Sequence, residues 1–229
     1  MPTPEIYEEE YRYWPWGKAL NLAAKWAVRF APSGGVVLDY MCGTGYLLHQ
    51  IARKRNDLRL VGCSLTASYV RYGRQKYPEL ELTYRNALRY KPRRMPDLVL
   101  CTAGLHHLSP NEQPRFVRKI AKEMAPNRWL ILGDEVIRPY TTETQRRSAV
   151  IDLAMALIRH LVAQRSPPEV IQAALDVLQN DLFQAGEYKT SLANVKRLLA
   201  PYFVVRRVVR TWPNRPAPFG DYLLLCQRR

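Results

Sequence analysis

Three groups of residues have types and spacings suited to chemistry. The first is Val36-Val37-Leu38-Asp39-Tyr40-Met41-Cys42-Gly43-Thr44-Gly45-Tyr46, where an apolar run ends in an acid and turns through two glycines into a helical pattern. Glycine lets backbone approach a ligand closely, and the N–H groups that open the following helix point at that ligand. The second is the nearly all-apolar run from Asp97 that ends Cys101-Thr102-Ala103-Gly104-Leu105-His106-His107-Leu108. A histidine titrates near neutrality, so it can take a proton from an alcohol, phenol or amine; the bland alternative is that it satisfies loop carbonyls. The third is Glu135 in Gly133-Asp134-Glu135, placed either to orient a donor group of a substrate or to pair with Arg138 as a loop acid.

Cysteine usage adds little. Cys42, Cys63, Cys101 and Cys226 show no C-x-x-C pairing. Three of them end strand-like runs, close to His106 and His107. Cysteine as a small buried apolar residue is the commoner arrangement, and no metal is expected.

These residues need a scaffold that brings strand ends together. Strand patterns cover 36–40, 58–64, 80–86, 97–103 and 129–133, with helical patterns between them near 46–55, after Thr66, and after Ser109-Pro110-Asn111-Glu112, which reads as a capping box. Strand alternating with helix argues for a parallel sheet in an α/β fold. An aromatic-rich segment, Tyr7 to Trp16, leads into a helix that ends before Pro32-Ser33-Gly34-Gly35. From Thr141 to about Gly186 the pattern is helical without a strand, divided by Ser166-Pro167-Pro168-Glu169, a second capping-box pattern. A short helix at 191–199 and an antiparallel pair at 203–211 and 222–227 close the chain.

The nicotinamide fingerprint G-x-G-x-x-G fits poorly, because Leu48 stands at its third glycine. The stretch instead resembles the first motif of the class I S-adenosylmethionine (SAM) dependent methyltransferases, V-L-D-x-G-C-G-T-G, with Met41 at the family's first glycine. The Asp97–Leu108 segment is the second match, and the resemblance covers roughly residues 36–135 well and the closing strands weakly. It implies a Rossmann-like, seven-stranded, mostly parallel sheet of order 3-2-1-4-5-7-6. It further implies one domain over 1–229, an N-terminal aromatic and helical cover at 1–31, and a helical lid inserted at 141–200.

The resemblance also assigns roles. Asp39 would steady the glycine loop or reach the amino group of the methionine moiety, while Cys42, Gly43 and Gly45 pass backbone against the cofactor. Ser64, with Leu65, stands where the family keeps a ribose-binding acid. Asn86, with Ala87, stands where it keeps an adenine-binding acid. An ionised carboxylate makes hydrogen bonds about twice as strong as neutral ones, so both departures weaken expected contacts. Thr102 and Ala103 begin the loop that passes the sulfonium, His106 and Glu135 would face the substrate as catalytic residues, and Tyr11 and Trp16 would cover the cofactor, since aromatic faces attract a positive sulfonium.

The expected activity is SAM-dependent methyl transfer to an oxygen or nitrogen of a small molecule, the lid being the reason for preferring a small molecule. An RNA methyltransferase is the alternative, motivated by a net charge of +15. Against it, the basic residues look scattered along the chain, and no N-D-P-P-Y type motif follows the fourth strand. A third reading is a methyltransferase fold with altered cofactor use or no methyl transfer, motivated by Ser64 and Asn86. No secretory signal is visible, and the longest apolar stretch, 149–163, is broken by Asp152, Arg159 and His160, so no membrane partner and a cytoplasmic location are expected.

Overall fold

A central strand buried on both faces organises the fold. In the computed structural model, which describes residues 2–229, β1 (Val36–Tyr40) lies between β2 (Arg59–Ser64) and β4 (Leu98–Thr102), all parallel. β3 (Glu81–Tyr84) extends the sheet beyond β2, and β5 (Trp129–Val136) beyond β4. The closing strands β6 (Phe203–Trp212) and β7 (Gly220–Arg228) pair antiparallel, with β7 inserted beside β5. The order is β3-β2-β1-β4-β5-β7-β6, as the resemblance implied.

Alternation of side chains along each strand divides the core into two layers. Val37, Leu98, Leu100 and Ile131 face α2 (Trp16–Phe30) and α3 (Tyr46–Ala52), where Ala23, Ala27, Leu48 and Ile51 are buried. Leu38, Val99, Leu130 and Leu132 face the other way, onto α5 (Glu112–Lys122) and α8 (Leu192–Leu199) through Phe116, Ile120 and Leu199. Each such aliphatic side chain contributes ~1.5–3 kcal/mol when fully buried. Between β5 and β6 the chain adds α6 (Glu143–Ala163) and α7 (Pro168–Phe183), which pack through Val150, Leu153, Leu157, Val170 and Ala174. The 85–97 connection between β3 and β4 contains no helix, whereas α4 (Ala67–Lys76) links β2 to β3. No helix among the described residues is long and apolar enough to cross a membrane.

Local corrections all trace to proline. The N-terminal segment is two helices, α1 (Pro4–Tyr13) and α2, because Pro15 holds Trp14 extended at φ −71°, ψ 141°. α5 becomes regular only at Glu112, because Pro114 has no N–H to give the Pro110 carbonyl; the Glu112 carboxylate accepts from the Ser109 N–H at 3.0 Å and hydroxyl at 2.7 Å, half of the expected box. The second box is not made. Pro168 keeps Pro167 extended at ψ 148°, so Ser166 falls outside the helix and its buried hydroxyl finds no partner.

Candidate functional site

At the carboxyl end of β1 the chain takes three left-handed residues, Met41 (φ 60°), Gly43 (φ 57°) and Gly45 (φ 87°). Two are glycines; Met41 carries the strain of a side chain in this region, on the order of 1–2 kcal/mol. The Cys42 N–H donates to the Cys63 carbonyl at 3.0 Å, hooking the loop onto β2. Behind the loop, a Cβ at Gly73 would stand 2.1 Å from the Thr44 carbonyl oxygen, so glycine there lets α4 sit against it. In front, the space a Cβ would take at Gly43 is closed by the Tyr7 ring, 2.8–2.9 Å away. α1 lies across the loop and is tied down by Glu8, which accepts from Lys76 Nζ at 2.6 Å and from the Tyr77 hydroxyl at 2.9 Å.

Among the described residues, two polar atoms at this loop are buried without partners, Asp39 Oδ1 and Thr44 Oγ1. Burial pushes the Asp39 carboxyl up to about 8. Orphaned acceptors beside a glycine loop fit a ligand that carries donors or positive charge, as SAM does. Ser64 is buried at the end of β2, its hydroxyl accepting a long 3.4 Å bond from the Thr66 N–H, while Leu65 beside it is 60 % exposed. Asn86 Oδ1 accepts from the Leu88 N–H at 2.8 Å, capping the turn that buries Ala87. The oxygen expected to face adenine is shared with this turn.

A cavity of about 610 Å³ opens at the same sheet edge. One wall is α1, through Tyr7, Glu10 and Tyr11, with Trp14 and Trp16 next to it. The opposite wall is one face of α7, through Glu169, Gln172, Asp176 and Asn180. Ala103, His106, Glu135, Glu187 and Lys189 line the remainder. Of the residues expected from sequence, Tyr11, Trp16, Ala103, His106 and Glu135 thus share this cavity. Asp39, Cys42, Gly43, Gly45, Ser64, Leu65, Asn86, Ala87 and Thr102 do not line it.

His106 stands on a single 3-10 turn, Leu105–His107, and is 6 % exposed. Asp134 grips it twice, Oδ2 accepting the backbone N–H at 3.0 Å and Oδ1 bonding to ring Nδ1. The ring's Nε2 lies 3.4 Å from Glu187 Oε2, and the His106 carbonyl accepts from the Tyr188 N–H at 2.6 Å. Burial pulls the imidazole pKa down, but Asp134 and Glu187 outweigh burial and Lys189 together and raise it to about 9. Beside it, Lys189 is buried with its ammonium 2.7 Å from Asp181, 2.9 Å from Glu187 and 3.1 Å from Glu135. Those carboxylates overcome burial and hold Lys189 charged.

Glu135 is therefore paired with Lys189; Arg138 instead bonds Asp152 at 3.1 Å. Asp134, Asp181 and Glu10 were not legible as site residues, whereas Glu187 and Lys189 lie in the Gly186-Glu187-Tyr188-Lys189-Thr190 stretch, whose alternating polar residues suit a place at the pocket. Adjacency of Asp134 to Glu135 on one strand was the sole signal for Asp134. The four cysteines are buried and unpaired, acting as apolar residues. His106, His107 and Glu187 offer donor atoms within 4.8 Å of one another, yet the Glu187 carboxylate already serves Lys189.

Sheet order, glycine loop and the site at the strand ends define the class I methyltransferase fold, and residues 37–127 match the family model described as a methyltransferase domain. The match is to residues 37–127 of the chain, and the solved structures like it share its fold. It is similar to N-methyltransferase NodS from Bradyrhizobium japonicum WM9, solved with S-adenosyl-L-homocysteine, at 12 % identity and TM-score 0.55, covering 85 % of this chain and 78 % of that one. It is also similar to magnesium protoporphyrin IX methyltransferase (ChlM) from Synechocystis PCC 6803 at 17 % identity and TM-score 0.61, covering 92 % and 82 %. A third likeness is mycolic acid cyclopropane synthase CmaA1, at 13 % identity and TM-score 0.63, covering 86 % and 79 %. No curated protein matches by sequence.

Proposed function

We propose that this methyltransferase transfers the methyl group of SAM to an oxygen or nitrogen of a small molecule held in the cavity between α1 and α7. The observation that carries this reading is the His106–Asp134 pair set in the lining of a 610 Å³ cavity beside the glycine loop. When bound, SAM supplies an activated methyl on its sulfonium. Asp39, Cys42, Gly43 and Gly45 hold it along the loop, Ser64 and Leu65 at the end of β2, Asn86 and Ala87 after β3, and Thr102 and Ala103 after β4. Tyr11 and Trp16 cover it from the N-terminal side.

The chain's own groups then divide the work. α1 and α7 exclude water and hold the acceptor, since methyl transfer gains much of its rate from positioning. Asp134 fixes the His106 ring through Nδ1, and Nε2, 3.4 Å from Glu187, accepts a proton from the acceptor only once the imidazolium has lost its own. Glu135, held by Lys189, orients a donor on the acceptor. Calorimetry with SAM and S-adenosylhomocysteine (SAH) tests the cofactor half: micromolar to sub-millimolar binding is expected, and no binding at millimolar concentration sinks it.

One observation favours RNA as a second reading. The fold gathers basic residues that look scattered in the chain. Arg85, Arg89, Lys91, Arg93 and Arg94 line one groove beside β2 and β3. Arg115, Arg118 and Lys122 share an adjoining groove with Arg89 and Lys91, and none of these side chains lies within 4.0 Å of a carboxylate among the described residues. The grooves share no residue with the cavity, whose acidic lining opposes a phosphate-rich acceptor.

A further inference from the structure

Charge in the cavity runs opposite to charge on the whole chain. Five carboxylates line it, on Glu10, Glu135, Glu169, Asp176 and Glu187, in a protein of net charge +15. Glu135 and Glu187 share the one lysine, Lys189. The other three have no cation within 4.0 Å among the described residues: Glu10 from α1, and Glu169 and Asp176 about two helical turns apart on α7. Asp176 accepts a neutral bond from Gln172 Nε2 at 2.8 Å.

Glu10 supplies the independent observation. It is 6 % exposed, lines the cavity, and its Oε1 has no hydrogen-bond partner among the described residues. A buried carboxylate without a partner is costly, and burial has pushed its pKa up to about 7. Tyr11 and Trp14 line the same cavity, and Trp14 Nε1 is likewise buried without an acceptor. Carboxylates without a cation partner that line one cavity together with aromatic rings make a receptor for an organic cation, which gains charge-assisted hydrogen bonds and ring contacts together.

We propose that the cavity's second ligand, the methyl acceptor, is anchored by a protonated amine received between Glu10 of α1 and Glu169 and Asp176 of α7, while the methyl goes to a separate oxygen or nitrogen of the same molecule that keeps a lone pair. This rests on the methyl-transfer reading of the same cavity and narrows it to a substrate class. An anionic acceptor meets three uncompensated carboxylates, and a neutral one leaves Glu10 unpaired.

The test is a charge series on one ring: phenethylamine, 2-phenylethanol and 3-phenylpropionate, titrated calorimetrically at pH 7.5 into protein saturated with SAH. Phenethylamine is expected to bind about tenfold or more tightly than 2-phenylethanol, with 3-phenylpropionate weakest. Changing Glu169→Gln with Asp176→Asn should erase the preference and leave SAH affinity unchanged; Glu10→Gln should weaken the amine alone. Equal binding across the series, tighter binding of the neutral or anionic member, or no binding of the amine overturns the proposal. Failure of SAH to bind would instead remove the methyl-transfer reading, and the same series without SAH still decides the charge of the ligand.

Discussion

His106 is an imidazolium at neutral pH in this structure, because Asp134 and Glu187 flank it in a buried setting. A protonated histidine cannot act as a base, so the rate of methyl transfer is expected to rise from pH 7 to a plateau above about 9, the value to which its pKa is raised. His106→Asn should lower kcat by about 10²–10⁴-fold and flatten that profile. Asp134→Asn should move the rise to lower pH while reducing the plateau, since it removes both the charge and the grip on Nδ1. Stability follows the same group. A histidine whose pKa is raised by folding from 6.5 to about 9 contributes fully below pH 6.5, and the contribution is lost as pH rises through 9. Thermal melts of the wild type and His106→Asn should therefore differ most at pH 6 and converge above pH 9. Asp39 works in the other sense. Its carboxyl is raised to about 8, so it is largely neutral at pH 7 until a cationic ligand arrives. SAM binding should release a proton, seen as a dependence of the calorimetric heat on buffer ionisation enthalpy, and Asp39→Asn should abolish it.

At the scale of elements, the segment after α7 is fastened to the sheet edge by Lys189. It joins Asp181 at the end of α7, Glu187 in the connection and Glu135 on β5. Removing the cation leaves three buried carboxylates facing one another, so Lys189→Met should cost about 3–5 kcal/mol in urea unfolding. Gly73→Ala probes the other side of the loop. Its Cβ would stand 2.1 Å from backbone that cannot give way, so α4 must shift, at about 1–3 kcal/mol and with weaker SAH binding. Helix and strand identities were legible from hydrophobic period, because burying one face dictates that period whatever the partner. The capping at Ser166 was not. Whether Pro167 or Ser166 opens α7 depends on the backbone path imposed by Pro168, which pattern alone does not carry.

Over the whole molecule, charge is segregated: an acidic cavity between α1 and α7, and basic grooves along the 85–94 loop and α5. On α5, Arg115, Arg118 and Lys122 recur at helical spacing and so form one stripe. A polyanion should bind these grooves with affinity falling steeply with salt, by about 0.9 in log K per log unit of salt for each phosphate engaged in duplex, and about 0.7 in single strands. Arg89→Glu with Arg118→Glu should lower that slope in fluorescence titrations with labelled RNA. Indifference to RNA at physiological salt would remove the RNA reading.

The sequence by itself determined the sheet, its order through the methyltransferase resemblance, and the glycine loop at Asp39–Gly45, because these depend on local period, turn chemistry and a contiguous motif. It also singled out His106 and Glu135, each at a strand's carboxyl end. Only the tertiary structure decided their partners. Asp134, Glu187 and Lys189 meet His106 and Glu135 across separations of 28 and more residues, and α1 brings Glu10 to face Glu169 and Asp176 from the opposite end of the chain. Side-chain type says which charges a residue can carry; whether such a charge is paired, buried or left open to a ligand depends on what long-range packing sets beside it.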